Sequence, residues 1–172
     1  MGGKTMITAQ EVIDALHLEK HPSEGGYFYE TYRSPEIVSS LDRGQRSWST
    51  AIYYLLSDET GVFSEMHRLA LDEVFHFYLG DPVEMLHLYP DGRGERVILG
   101  TDLVTGMRPQ VVVSGGVWQG CRVLGGKYGF ALMGTTVAPG FEYSDYESGC
   151  RGQLVQAYPQ FTEQIAVLTR KL

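Results

Sequence analysis

His67 and Glu73 are the two side chains of this sequence whose types and spacing suit chemistry. The three residues between Leu69 and Glu73 are few enough for a tight turn, so the pair can ride on two adjacent strands. Strand side chains alternate between faces, which puts His67 and Leu69 on one face and opens the next strand at Glu73. If Glu73 points into the fold, Phe75 and Phe77 point inward with it as walls, and His76 points out. Glycines frame the segment, with Gly61 six positions before His67 and Gly80 seven after Glu73. An inward imidazole and carboxylate have three uses. They can ligate a divalent transition metal. They can form the polar floor of a metal-free pocket, where Glu73 raises the His67 pKa and the pair moves protons or holds a ligand. Or they can be a buried, hydrogen-bonded pair with no ligand. All three stay open at this level.

The elements that position the pair follow from hydrophobic alternation. After Pro22, short runs rich in Tyr, Phe, Val and Ile recur at Gly26–Arg33, Ser47–Leu56, Val62–Leu69, Glu73–Leu79, Val83–Tyr89, Arg96–Leu99, Gln110–Val113, Trp118–Leu124 and Tyr128–Val137. Asp58-Glu59-Thr60-Gly61, Gly80-Asp81-Pro82, Pro90-Asp91-Gly92 and Gly125-Gly126 separate them as turns. Many short strands at this spacing predict an all-β sandwich or barrel. A short helix precedes them. Thr8 and Glu11 form a capping box, Ile7 and Val12 a hydrophobic staple, and Val12, Ile13, Ala15 and Leu16 an apolar face. His17 at its end reads as structural. A second helix is predicted from about Pro159 to Lys171, with Phe161, Ile165, Leu168 and Leu172 on one stripe.

At 172 residues the chain predicts one domain, 1–172, with residues 1–6 disordered or foreign to the native start. A formal charge of −7 with scattered basic residues argues against nucleic acid or an anionic membrane as partner. No segment approaches the ~18 apolar residues of a membrane span. Cys121 and Cys150 read as reduced thiols, so a cytoplasmic location is expected.

Other residues carry weaker signals. Glu24 could place an acid near the barrel mouth, although a turn before the first strand explains it equally well. Tyr53 and Tyr54 alternate, so one of the two lines a pocket; Tyr53 is the candidate taken here. Arg33 and Arg46 could meet an anion but suit the surface, and His87 on its alternating strand reads as a satisfied structural residue. The acidic, aromatic stretch 142–147 reads as a lid or a solvated loop. No nucleophile elbow, Cys-x-x-Cys pair or dinucleotide fingerprint is present.

Several blocks together resemble one family. They are His21-Pro22-Ser23-Glu24-Gly25-Gly26-Tyr27-Phe28, Glu30-Thr31-Tyr32-Arg33-Ser34, Ser49-Thr50-Ala51-Ile52-Tyr53-Tyr54-Leu55-Leu56, His67-Arg68-Leu69 with Asp72-Glu73-Val74-Phe75-His76-Phe77-Tyr78-Leu79-Gly80-Asp81-Pro82, Gly116-Val117-Trp118-Gln119, and Val137-Ala138-Pro139-Gly140-Phe141. The chain resembles the branch of the cupin superfamily catalogued as a domain of unknown function. That resemblance implies an RmlC-like double-stranded β-helix, a jelly-roll barrel, with short N- and C-terminal helices, usually dimeric, with a pocket inside. Cupins commonly hold a metal through a His-x-His pair and a Glu in a first motif and a His in a second. Here Leu69 replaces the second imidazole and Gln119 the third, leaving His67, Glu73 and Gln119 as the ligand set if a metal is bound.

The resemblance implies no single reaction. The leading expectation is an enzyme on a polar metabolite, isomerase- or epimerase-like. His67 and Glu73 would be catalytic, and Gln119, Phe75, Phe77 and Tyr53 would bind ligand. The alternatives are a metal-dependent oxygenase or lyase and a non-catalytic binding module. A homodimer is expected, with His76, Phe77 or Tyr78 near its interface.

Overall fold

Glu11 N–H donates to Thr8 Oγ1 at 3.2 Å and Thr8 N–H to Glu11 Oε2 at 2.8 Å, closing the capping box that starts helix α1 (Ala9–Ala15). The computed structural model describes residues 6–40, 44–57 and 63–170. Residues 1–5, positions 58–61 where a turn is expected, Val62, Lys171 and Leu172 lie outside the described residues.

Strands follow the helix: β1 (Glu19–Lys20), β2 (Tyr27–Arg33), β3 (Ile37–Ser40), β4 (Gly44–Ser47), β5 (Thr50–Ser57), β6 (Phe63–Leu69), β7 (Glu73–Gly80), β8 (Val83–Leu88), β9 (Gly94–Leu99), β10 (Gln110–Val113), β11 (Trp118–Val123), β12 (Phe130–Val137) and β13 (Tyr146–Ser148). Each predicted run holds a strand, its ends within three residues of those expected. The β3–β4 hairpin, β1 and β13 lack a strong apolar alternation, and the sequence reading passed over them.

The strands form a six-stranded sheet in the order β1-β2-β5-β12-β7-β10 and a five-stranded sheet in the order β13-β6-β11-β8-β9, both antiparallel. Residues from both sheets share the interior, among them Tyr54, Leu56, Phe75, Met85, Leu99 and Met133. This is the expected jelly roll. Helix α1 packs Val12 on Leu55 and Phe130 at the outer side of the six-stranded sheet.

The C-terminal helix differs from the expectation. Residues 151–170 form α2 (Arg151–Ala157), a 3-10 turn at Pro159–Phe161 and α3 (Thr162–Val167), which cover Met66, Leu86 and Leu88 on the outer side of the five-stranded sheet. Pro159 has no N–H and disfavours helical backbone in the residue before it. Tyr158 accordingly leaves the helix at φ −132° and ψ 62°.

Two irregularities shape the interior. On β6 an extra residue lies between Ser64 and His67, since Gln119 pairs with His67 and Cys121 with Ser64. Both Ser64 and His67 therefore face inward despite their odd spacing. The second is Gly25-Gly26, at φ +101° and +73°, where a Cβ would stand 2.5 Å from the Phe63 carbonyl oxygen and 2.6 Å from that of Leu55. Glycine at both positions lets the chain press against the sheets and carry Glu24 inward.

Candidate functional site

His67 sits on β6 with 2% of its surface exposed. Its Nδ1 lies 2.7 Å from the Glu65 carbonyl oxygen. A carbonyl only accepts, so Nδ1 carries the proton and Nε2 presents a lone pair. The Tyr146 ring stacks on the imidazole at 5.2 Å and fixes its plane. Burial holds the His67 pKa below its ordinary value, against an upward pull from Glu73 and the Glu65 carbonyl. Glu73 therefore acts in the expected direction, but desolvation outweighs it, and the imidazole is neutral near pH 7.

Glu24 is the carboxyl nearest that lone pair. Its Oε1 is 3.8 Å from His67 Nε2 and 3.8 Å from His21 Nε2. His21 is in the opposite tautomer. Its Nδ1 accepts the backbone N–H of Glu24 at 3.0 Å, so its proton is on Nε2. One imidazole thus offers a donor toward Glu24 and the other an acceptor. Burial pushes the Glu24 carboxyl above the usual range, with His21 and the Ser64 hydroxyl opposing. His21 is lowered by its own burial, with Glu24 pulling the other way.

Glu73 opens β7 and accepts a hydrogen bond from Gln119 Nε2 at 2.7 Å. Burial and then the charge of Glu24 raise its pKa, while His67, Thr135 and Gln119 lower it. A charge on Glu24 therefore opposes the ionisation of Glu73.

These groups meet a cavity of about 310 Å³. Glu24, Glu73 and His21 are among its polar lining, and Phe28, Tyr54 and Phe75 among its apolar walls. At this end of the barrel Glu24 stands on the wall and His67 behind it. Of the expected ligand contacts Phe75 lines the cavity, whereas Gln119, Phe77 and Tyr53 do not; the Gln119 amide is turned to Glu73. Phe77 does face inward, in unbroken register with Phe75, but it lies two residues further along β7 and packs on the interior core beyond the cavity. Tyr53 points to the outer face, edge-on to Tyr78 at 6.1 Å, and its neighbour Tyr54 lines the cavity. His76 faces out, 3.2 Å from Thr136 Oγ1. His87 is buried with Nδ1 4.0 Å from Glu95 Oε1, and its Nε2 has no hydrogen-bond partner among the described residues, unlike the fully satisfied residue expected. Cys121 is buried and Cys150 exposed.

At the mouth, Arg33 bonds Glu30 at 2.9 and 3.0 Å and Glu142 at 2.9 Å. Phe141, Glu142 and Tyr143 join the wall, so this part of the acidic stretch shapes the cavity. The sequence reading left out His21 and gave Glu24 no firm role. The double glycine after Glu24 was the available signal, since such a pair marks a close backbone approach.

The Cupin superfamily (DUF985) family model matches residues 10–149. The chain belongs to the cupin superfamily. It is 33% identical over 150 residues to the uncharacterized protein YML079W of Saccharomyces cerevisiae, covering 80% of this chain and 73% of that protein. The crystal structure of protein SO0799 from Shewanella oneidensis matches with a TM-score of 0.85 and 35% identity, over 97% of this chain and all of that one. Oxalate decarboxylase of Bacillus subtilis matches with a TM-score of 0.54 at 14% identity, over 90% of this chain and 38% of that one, a likeness of fold alone.

Cupins often bind metals, and the donors of this one can be tested against that use. Among the described residues no three His, Cys, Asp or Glu side chains gather as a metal site. Leu69 takes the place of one imidazole, and Gln119 turns its N–H toward Glu73. The set His67, Glu73 and Gln119 does not fit a divalent metal. No helix among the described residues is long and apolar enough to cross a membrane.

Proposed function

We propose that this cupin is a small-molecule enzyme that moves a proton, of the isomerase or epimerase class, acting on a polar metabolite held in the barrel cavity. The observation that carries the reading is the Glu24 carboxyl flanked by two imidazoles of opposite tautomer, each at 3.8 Å. A carboxyl whose pKa is raised by burial suits acid–base work near neutral pH. In this scheme Glu24 faces the ligand and exchanges its proton with Nε2 of His67, and His21 Nε2–H donates to a ligand oxygen or nitrogen. Glu73, expected to orient His67, instead holds the ligand beside Gln119, since the ring is oriented by Glu65 and Tyr146. The apolar walls with a few convergent polar groups are the usual make-up of a ligand site.

The test is a metabolite library incubated in D2O and followed by proton NMR. A substrate loses a C–H signal with wild-type protein, keeps it with His67→Ala, and still binds the variant. Hits that bind without exchange make the protein a binding module. Stoichiometric divalent metal in purified protein, lost in His67→Ala, favours the metal-dependent oxygenase or lyase.

The second part of the proposal is a homodimer. The outer face of the six-stranded sheet leaves Tyr29, Tyr32, Tyr78 and Val112 exposed beside His76. A second copy of this chain would cover that aromatic face.

A further inference from the structure

Four carboxyl side chains line the cavity, Glu24, Glu30, Glu73 and Glu142, against one guanidinium, Arg33. Arg33 is occupied by Glu30, Glu142 and the Phe141 carbonyl. Among the described residues no Lys or Arg pairs with Glu24 or Glu73, and their imidazole neighbours are neutral. Nε2 of His67, on a residue 2% exposed, points an acceptor at Glu24 Oε1, a second acceptor, across 3.8 Å. The donors that the protein itself offers Glu24 are distant, His21 Nε2–H at 3.8 Å from Oε1 and the Ser64 hydroxyl at 3.5 Å from Oε2, so a ligand N–H can serve the carboxyl better. Phe28, Tyr54 and Phe75 face the same space and present ring surfaces that attract cations.

We propose that the ligand of this pocket is an organic cation, a single-ring or short-chain ammonium, amidinium or guanidinium compound. Its N–H groups bridge Glu24 and Glu73, and its body lies against the aromatic walls. This rests on the reading of the cavity as the ligand site and names the substrate class for it. The volume, at the lower end of the range for ligand pockets, sets the small size. An anion such as a dicarboxylate would meet like charge on the floor and an arginine already committed at the mouth.

The test is calorimetric titration with matched probes at pH 7: benzamidine, its neutral isostere benzamide and benzoate, then butylammonium, butanol and butyrate. Each cation is expected to bind about tenfold or more tighter than its neutral and anionic counterparts. Glu24→Gln and Glu73→Gln should each remove most of that preference. Glu84→Gln, on the outer surface, should leave it intact, which separates a site effect from the overall negative charge. Equal or tighter binding of a neutral or anionic probe overturns the proposal, as does the failure of both cations to bind at millimolar concentration. Cation binding with no His67-dependent exchange of any compound in D2O keeps the cation site and removes the proton-transfer reading. A neutral or anionic compound that exchanges through His67, while the cations fail, does the reverse.

Discussion

Gln119 and Glu73 join the two sheets from inside the barrel, the amide on β11 donating to the carboxyl on β7 at 2.7 Å. The bond satisfies two buried groups and holds the Glu73 carboxyl at the cavity edge. Gln119→Leu leaves Glu73 without this donor, and the expected loss is about 1–3 kcal/mol of stability. The Glu73 pKa should rise further. Urea unfolding checks the first, and carboxyl 13C shifts against pH the second.

Glu24 and Glu73 have folded-state pKa values raised above the ordinary 4.5 by burial. A raised pKa stabilises the fold below the unfolded value, and that contribution is lost as pH rises through the folded one. Glu24→Gln removes the loss. The variant should therefore gain stability relative to wild type as pH climbs from about 4.5, and the difference should be smallest in acid. Melting temperatures from pH 4 to 8 measure it; a constant difference across that range would contradict the sign.

The two imidazoles beside Glu24 differ in tautomer, and that is directly observable. Long-range proton–nitrogen correlation at pH 7 should show His67 protonated at Nδ1 and His21 at Nε2. Both should stay neutral below the ordinary histidine range, because burial lowers both. The same tautomer at both residues would remove the donor–acceptor arrangement.

Gly80 has φ +107°, and a Cβ there would stand 2.1 Å from the Phe130 carbonyl oxygen. Gly80→Ala should cost roughly 2–4 kcal/mol or more, since backbone strain and overlap with another strand add. Thermal unfolding against a Gly92→Ala control isolates the overlap, because Gly92 also has positive φ but meets nothing within 4 Å.

The proposed dimer is tested by light scattering. Wild type should run as a dimer at micromolar concentration and Tyr78→Glu as a monomer with an unchanged circular dichroism spectrum. A monomeric wild type leaves the aromatic face to some other role.

Much of the fold was legible because strand alternation is local. Glu73–Gly80 reads inward and outward from its own residues, and Thr8 with Glu11 announces the first helix. Failures came where local alternation was not enough. Phe77 faces inward as read but lies beyond the cavity, whose depth alternation does not give, and Tyr53 and Tyr54 could not be told apart without knowing which face was inner. The helix expected from Pro159 is there as a 3-10 turn and α3, but α2 (Arg151–Ala157) before it was not read.

The sequence by itself determined the family, the all-β class and the shared face of Glu73 and Phe75, since period-two alternation and turn residues act over a few positions. Only the tertiary structure decided that Glu24, 43 residues before His67 in the chain, is the carboxyl closest to its lone pair. That meeting depends on the double glycine pressing a loop between two sheets and on a bulge that turns His67 inward. Both are contacts between distant segments, and strand periodicity carries no record of them.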